Sequence, residues 1–440
     1  MKTPICDFVR RYVNSGALRL HMPGHKGASL LGFEQLDITE IGGADSLYEA
    51  AGIIRESEKN ASTLFGAPTF YSTEGSSQCI RAMLFLAMQH AKQAGKRPRI
   101  AAARNVHKTF LSAVALLDLP VTWLYGAQSS YLACKLTAAD VEAALSAEDA
   151  PTAVYLTSPD YLGNVTEIEA IAAVCHRHGT LLLVDNAHGA YLKFLPQSAH
   201  PIDLGADLCC DSAHKTLPAL TGAAYLHVTE SFATDAKRAL ALFGSTSPSY
   251  LILQSLDAVN AYLADGYSKR LLAFAAEVHR LSKALRARGY MLLGDEPLKL
   301  TVLAKPYGYS GMQLAACLEE HGIVAEFADP DLAVLMLTPE IGAEGLARLE
   351  GALLSIPPRT PIVAPPPLPH PHTAVMTVRE AMLAPAETVP VQESIGRVLA
   401  SPSVGCPPAV PILITGERID ATAAEHFAYY GIENVTVVKE

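Results

Sequence analysis

Charge is scarce in this chain. Only 18% of its 440 residues are Asp, Glu, Lys or Arg, and acids outnumber bases 44 to 34, a formal net charge of −10. Such a balance has no general attraction for phosphate backbones or anionic lipid, so neither nucleic acid nor a membrane surface is expected as a partner. Long apolar runs are missing too. Each hydrophobic stretch is broken by a charge, a polar residue, Gly or Pro before it reaches the ~20 residues a bilayer requires, and no transmembrane helix is predicted. The segment Met1 to Val13 carries Asp7, Arg10 and Arg11 where a signal peptide needs its apolar stretch, so export is not expected. None of the cysteines (Cys6, Cys79, Cys134, Cys175, Cys209, Cys210, Cys317, Cys406) forms a Cys-x-x-Cys pair. They read as reduced, mostly buried thiols of a cytoplasmic protein.

What the chain has in quantity is apolar surface. Hydrophobic residues make up 50% and the mean hydropathy is +0.20, which excludes disorder over most of the length. A chain this long suggests two or three folded units.

Residues 1–50 lack sustained periodicity and contain His21-Met22-Pro23-Gly24-His25-Lys26-Gly27, which reads as an ordered arm or loop. The spacing of Ile80, Met83, Leu84, Ala87 and Met88 predicts an amphipathic helix from Ser76 to about Gly95. Apolar runs at 99–103, 120–125, 153–157, 180–185, 207–211 and 222–228, with helical stretches between most of them, predict a large α/β domain over 51–290 built on a mostly parallel sheet. Residues 248–288 are helical in pattern throughout. A smaller α+β domain is expected over 291–356, and the eight prolines between Pro357 and Pro371 make 357–372 an extended connector. The remainder, 373–440, has helix and strand signals of its own.

Ligands of a mostly parallel sheet collect beyond the carboxyl ends of its strands, and several chemically capable residues stand at such ends. Lys215, in Asp211-Ser212-Ala213-His214-Lys215-Thr216, follows one strand. Beside a second cation such as His214, a partly desolvated lysine loses its proton readily and can form a Schiff base, although a solvated loop lysine reads the same way in isolation. Thirty residues earlier, Asp185 ends the run Leu181-Leu182-Leu183-Val184. A carboxylate there can hold a pyridine ring nitrogen protonated, or can serve as a helix cap. Glu74-Gly75-Ser76-Ser77 opens the amphipathic helix with free N–H groups and two hydroxyls, a phosphate site or an ordinary cap. His107, in Arg104-Asn105-Val106-His107-Lys108, could stack on an aromatic cofactor or be a structural loop residue. Metal binding is not expected. Pro23 and Gly24 forbid the helix that would pair His21 with His25, His370 and His372 belong to the connector, and His176 and His178 sit near a helix end that favours cations.

The order of these segments, helix-start loop, His after a strand, Asp at a strand end, then Lys, resembles pyridoxal-phosphate enzymes of the aspartate-aminotransferase fold. The chain further resembles, nearly end to end, the ornithine/lysine/arginine decarboxylase family in its short form. The resemblance rests on His21–Gly27, Asp37-Ile38-Thr39-Glu40, Ala44-Asp45-Ser46-Leu47, Arg104–Lys108, Val184-Asp185-Asn186-Ala187-His188-Gly189, Ser212–Thr216, Ser245-Thr246-Ser247-Pro248-Ser249-Tyr250 and Pro407-Pro408-Ala409-Val410-Pro411.

That likeness implies fold type I, pyridoxal 5'-phosphate as cofactor, and decarboxylation of a basic amino acid, arginine ahead of lysine or ornithine. By it, Lys215 would hold the cofactor as an imine, Asp185 would pair with its ring nitrogen and His107 would stack on the ring. Gly75, Ser76, Ser77, His188, Ser212 and His214 would lie around the cofactor, and Lys215 or His214 would return the proton. Ser247 matches a position that reaches the neighbouring subunit's phosphate, so a homodimer or higher homo-oligomer is implied. The substrate's cationic end needs an acidic partner, since an unpaired buried cation is costly. Glu417 is the first candidate, and Asp45 and Glu74 are rivals. Four positions depart from the family's pattern: Glu74, Asn186, Asp160 and Cys406. Two other readings stay open, an aminotransferase or lyase on the same fold and a sensor of cofactor or polyamine without catalysis.

Overall fold

The computed structural model describes residues 1–127, 130–402 and 409–439. The chain begins with helix α1 (Pro4–Asn14), α2 (Ile53–Phe65), strand β1 (Thr69–Ser72) and α3 (Ser76–Gln93). Strands and helices then alternate as β2 (Ile100–Ala103), α4 (Lys108–Leu117), β3 (Val121–Leu124), α5 (Ala138–Leu145), β4 (Ala153–Thr157), α6 (Ile168–Arg177) and β5 (Leu181–Asp185). Next come β6 (Leu208–Asp211), the one-turn α7 (Ala213–Thr216), β7 (Ala224–Val228), α8 (Ala233–Ala241), α9 (Tyr250–Ala264) and α10 (Tyr267–Arg288). The remainder holds β8 (Met291–Leu293), β9 (Lys299–Leu303), α11 (Gly311–Glu319), β10 (Phe327–Ala328), β11 (Leu332–Met336) and α12 (Gly342–Ser355). It closes with α13 (Val378–Leu383), β12 (Ala386–Pro390), α14 (Ala421–Tyr429) and β13 (Asn434–Val438).

By compactness the chain divides into Met1–Lys96 with Leu181–Leu272, and Arg97–Thr180 with Ala273–Glu440. Residues 51–290 therefore contribute to both units. In the first unit the strand order is β1-β7-β6-β5, with β5 and β6 parallel and β7 antiparallel to both β6 and β1. The second unit orders β4-β2-β3 in parallel. It adds an antiparallel sheet β10-β11-β9-β8 and the hairpin-like pair β12-β13.

The six predicted strands are all present. The run at 222–228 is the one that breaks the parallel pattern. A parallel return needs a crossover of a dozen residues or more, usually helical, and the single turn α7 is too short to carry the chain back. Strand β1, Thr-Phe-Tyr-Ser, is not among the runs read from the sequence because polar residues at both its ends leave no apolar run. Within the expected arm, α1 forms around Pro4 at its first position and buries Ile5, Cys6 and Val9. The helical stretch 248–288 is interrupted at Asp265-Gly266, where Gly266 has φ +69. Residues 357–372 form neither helix nor strand. Among the described residues no helix is long and apolar enough to cross a membrane. Six of the described cysteines are buried, Cys317 is partly exposed, and none is in a disulfide.

The first unit gathers its polar core on a few carboxylates. Asp257 in α9 accepts from the Ile5 and Cys6 N–H groups, both at 3.0 Å, and from Ser57 Oγ at 2.6 Å, tying α1 and α2 to α9. Asp45 accepts from the N–H groups of Ala51 (2.9 Å), Gly52 (2.7 Å) and Ile54 (3.1 Å), satisfying the first turn of α2. Asp45→Ala should therefore lower stability by about 1–2 kcal/mol while Asp45→Asn retains most of it, as read from urea unfolding followed by circular dichroism.

Candidate active site

Four structural features of the first unit converge at the carboxyl ends of β5 and β6. Strand β6 passes into α7, which places Lys215 in its single turn, with Nζ 3.0 Å from His188 Nε2. Asp185 is the last residue of β5 and is 2% exposed. Its Oδ1 accepts from the Ala187 N–H at 3.2 Å and from Cys210 Sγ at 3.7 Å. Ser212 Oγ donates to Ser76 Oγ at 2.9 Å, joining the β6 exit to the first residue of α3.

The loop before α3 is shaped by glycine. Gly75 has φ +70 and donates its N–H to Gly222 O at 2.7 Å. Gly222 has φ +96, and a Cβ there would come within 3.0 Å of Thr73 O. The N–H groups at the head of α3 point along the helix axis toward the strand ends, an environment suited to an anion. His214 sets Nδ1 against Ala223 O at 2.9 Å, so that nitrogen carries the proton. Burial lowers its pKa, the Ala223 bond opposes this, and Lys215 lowers it further, which leaves the ring neutral at pH 7.

Behind these groups lies a buried network that sequence reasoning missed. Asp211 is fully enclosed and accepts from Asn186 Nδ2 at 2.6 Å, His200 Nε2 at 3.0 Å and His227 Nε2 at 3.0 Å. Burial pushes its pKa up, but His200 and His227 outweigh that and hold it well below the usual carboxylate range. Burial lowers the His227 pKa in turn. The available signal was His227 itself, a polar residue inside the apolar run Ala224-Tyr225-Leu226-His227-Val228. Asn186, a departure from the family's pattern, finds its reason here: its amide donates to Asp211, where a carboxylate would oppose it with like charge.

Of the remaining candidates, Asp45 and Glu74 are engaged elsewhere. The Asp45 carboxylate caps α2, and Glu74 Oε1 accepts the Ser245 N–H at 2.5 Å, holding the loop that carries the exposed Ser247. Both carboxylates thus serve as local structural anchors.

His107 and Glu417 belong to the second unit. His107 caps α4, its Nδ1 accepting from the Thr109 N–H at 3.1 Å. Glu417 is 3% exposed, and Oε2 accepts the Ile414 N–H at 2.8 Å. Burial raises its pKa and the Arg104 guanidinium lowers it. Arg104, a further residue the sequence did not single out, donates to Pro411 O at 3.0 Å and Ile412 O at 2.8 Å. Asp160 is a buried turn former: Oδ1 accepts from the Leu162 and Asn164 N–H groups at 2.9 Å, and burial pushes its pKa up to about 6. Cys406 and Pro407-Pro408 lie outside the described residues.

Residues 3–292 match the family model for the Orn/Lys/Arg decarboxylase major domain, and residues 362–435 match that for the Orn/Lys/Arg decarboxylase C-terminal domain. An arginine decarboxylase of Halalkalibacterium halodurans is 30% identical, covering 95% of this chain and 91% of that protein. One from Bacillus subtilis is 27% identical, with the same coverage of 95% and 91%. The constitutive lysine decarboxylase of E. coli superposes with a TM-score of 0.78 at 19% identity, covering 100% of this chain and 82% of the other. A cysteine desulfurase of Thermococcus onnurineus aligns over 68% of this chain and 82% of its own, with a TM-score of 0.54 at 16% identity.

Removing the buried carboxylate should be expensive. Asp211→Ala is expected to lower stability at pH 7 by about 3–5 kcal/mol in urea unfolding. Because the folded pKa is depressed, this contribution is complete above the ordinary carboxyl pKa and declines as pH falls toward the folded value. The gap between wild type and variant should therefore shrink below about pH 4.

Proposed function

The chain belongs to the Orn/Lys/Arg decarboxylase family, and from that premise we propose that it decarboxylates a basic amino acid, arginine first and lysine or ornithine after it, with pyridoxal 5'-phosphate as cofactor. The observation that carries the reading is the Lys215 amine 3.0 Å from His188, at a strand end beside the buried Asp185 and the Ser76–Ser212 hydroxyl pair. This donor set fits the cofactor. Lys215 offers an amine to an aldehyde, Asp185 a carboxylate to a ring nitrogen, and Ser76, Ser77 and Ser212 offer hydroxyl and N–H groups to a phosphate. When bound, the cofactor supplies an electron-withdrawing ring that accepts the electron pair of the bond to the departing carboxylate.

The rest is done by the protein. Asp185 is shielded from water, so its charge acts on a cationic partner at close to full strength. Lys215, whose amine would hold the cofactor, shares a hydrogen bond with His188 at 3.0 Å and would be the group placed to return a proton to the substrate. His214 is the poorer donor, since its lowered pKa keeps it neutral at pH 7. His107 is assigned to cover the cofactor ring, and Gly75 and His188 to line its site. Glu417, 3% exposed, is assigned through the family resemblance as the acidic partner of the substrate's cationic end. A cation arriving there would favour its ionised form against the desolvation that raises its pKa. Ser247, exposed on the loop after α8, is assigned through the resemblance to a neighbouring subunit's site, and the working form proposed is a homodimer or larger in the cytoplasm.

Incubation with arginine, lysine and ornithine should release carbon dioxide together with the matching amine, agmatine being the largest product. A keto acid as product would overturn the reading. So would a cofactor absorbance that responds to each amino acid without carbon dioxide release. Lys215→Ala should abolish turnover. Glu417→Gln should raise KM for the preferred substrate by about tenfold or more with a smaller change in kcat, the mark of lost uniform binding.

A further inference from the structure

The proline-rich connector ends against the last helix of the chain. Arg418 N–H donates to Thr373 O at 2.9 Å and Val375 N–H to Gly416 O at 2.9 Å, docking the two segments side by side. The docking brings His370 and His372 to Asp420, the residue that caps α14. Asp420 divides its carboxylate. Oδ1 accepts the Ala423 N–H at 2.7 Å, while Oδ2 lies 3.1 Å from His372 Nδ1 and 3.8 Å from His370 Nε2. The two rings stand 4.1 Å apart between centroids, and His426 meets His370 edge-on at 5.9 Å.

Ion pairing accounts for only one of these imidazoles. A single carboxylate oxygen faces both rings, and two imidazolium ions at that separation would repel each other. Two imidazole nitrogens and a carboxylate oxygen converging on one point are a ligand set for a borderline divalent metal. Bonds of ~2.0–2.1 Å in tetrahedral geometry place ligand atoms ~3.3 Å apart. The separations of 3.1 and 3.8 Å bracket that value, and all three ligand atoms lie within 4.8 Å of one another. The His370 and Asp420 side chains are 39% and 50% exposed and His372 only 2%, so an ion could enter from solvent against one fixed inner ligand.

We propose that His370, His372 and Asp420 bind a divalent transition-metal ion, zinc or its analogues cobalt and nickel, which clamps the connector to the head of α14. Three protein ligands leave the remaining coordination to water. None of the three is assigned a role in the decarboxylation, but His370 and Asp420 act electrostatically on Glu417, so the proposal is tested by metal binding and not by turnover.

The test uses the holoenzyme, dialysed against chelator and then titrated with Zn²⁺ by calorimetry and with Co²⁺ by visible absorption. One equivalent per chain is expected, with a rise in the thermal midpoint. His370→Ala, at an exposed position, and Asp420→Asn, which keeps the helix cap, should each weaken binding about tenfold or more and remove the thermal shift. No binding by the wild type at millimolar metal, or unchanged affinity in both variants, would overturn the proposal.

Discussion

A single enclosed carboxylate, Asp211, holds the first unit's site together. It draws Asn186, His200 and His227 onto two oxygens with no solvent to share the charge. Asn186 follows Asp185 directly, and Asp211 opens the turn that leads to Lys215 four residues later. One anion thus fixes the ends of two strands from which two of the proposed chemical groups project. In a low-dielectric interior each of these hydrogen bonds is strengthened, which holds the two strand ends in place.

The second unit uses the same device with different residues. Lys299 and Glu296 pair at 2.9 Å in near-complete burial, and Lys299 Nζ also donates to Asp160 O at 3.2 Å, beside the turn that Asp160 closes on itself. Arg104 likewise holds the backbone at Pro411 and Ile412, next to the segment bearing Glu417. Charged groups in this protein are few, and many of those that are buried join distant parts of a unit.

Much of the architecture was legible beforehand. Runs such as Leu181–Asp185 and Ala153–Thr157 are apolar, short and bounded by breakers, so strand identity followed from local pattern alone. Ser76 to Gln93 has the length and spacing that make a helix unmistakable. Strand direction was less accessible: β7 is antiparallel because of the brevity of α7, and helix length after a strand is only weakly encoded in four residues. The motif-bearing residues were legible through their resemblance to a known family. The His200–Asp211–His227 network was not, because its members are 11 and 16 residues apart from Asp211 and carry no shared spacing.

The chain's order of strands, its helix starts and the residues able to do chemistry were determined by local sequence, since periodicity, capping and backbone preference act over a few residues. What each carboxylate touches was decided only by the tertiary structure. Asp45, Glu74 and Glu417 look alike in the sequence, yet one caps a helix, one holds a loop and one lies buried near an arginine. The difference arises because a carboxylate's role depends on which N–H groups and cations the fold brings within hydrogen-bond reach, and those come from residues far away in the chain.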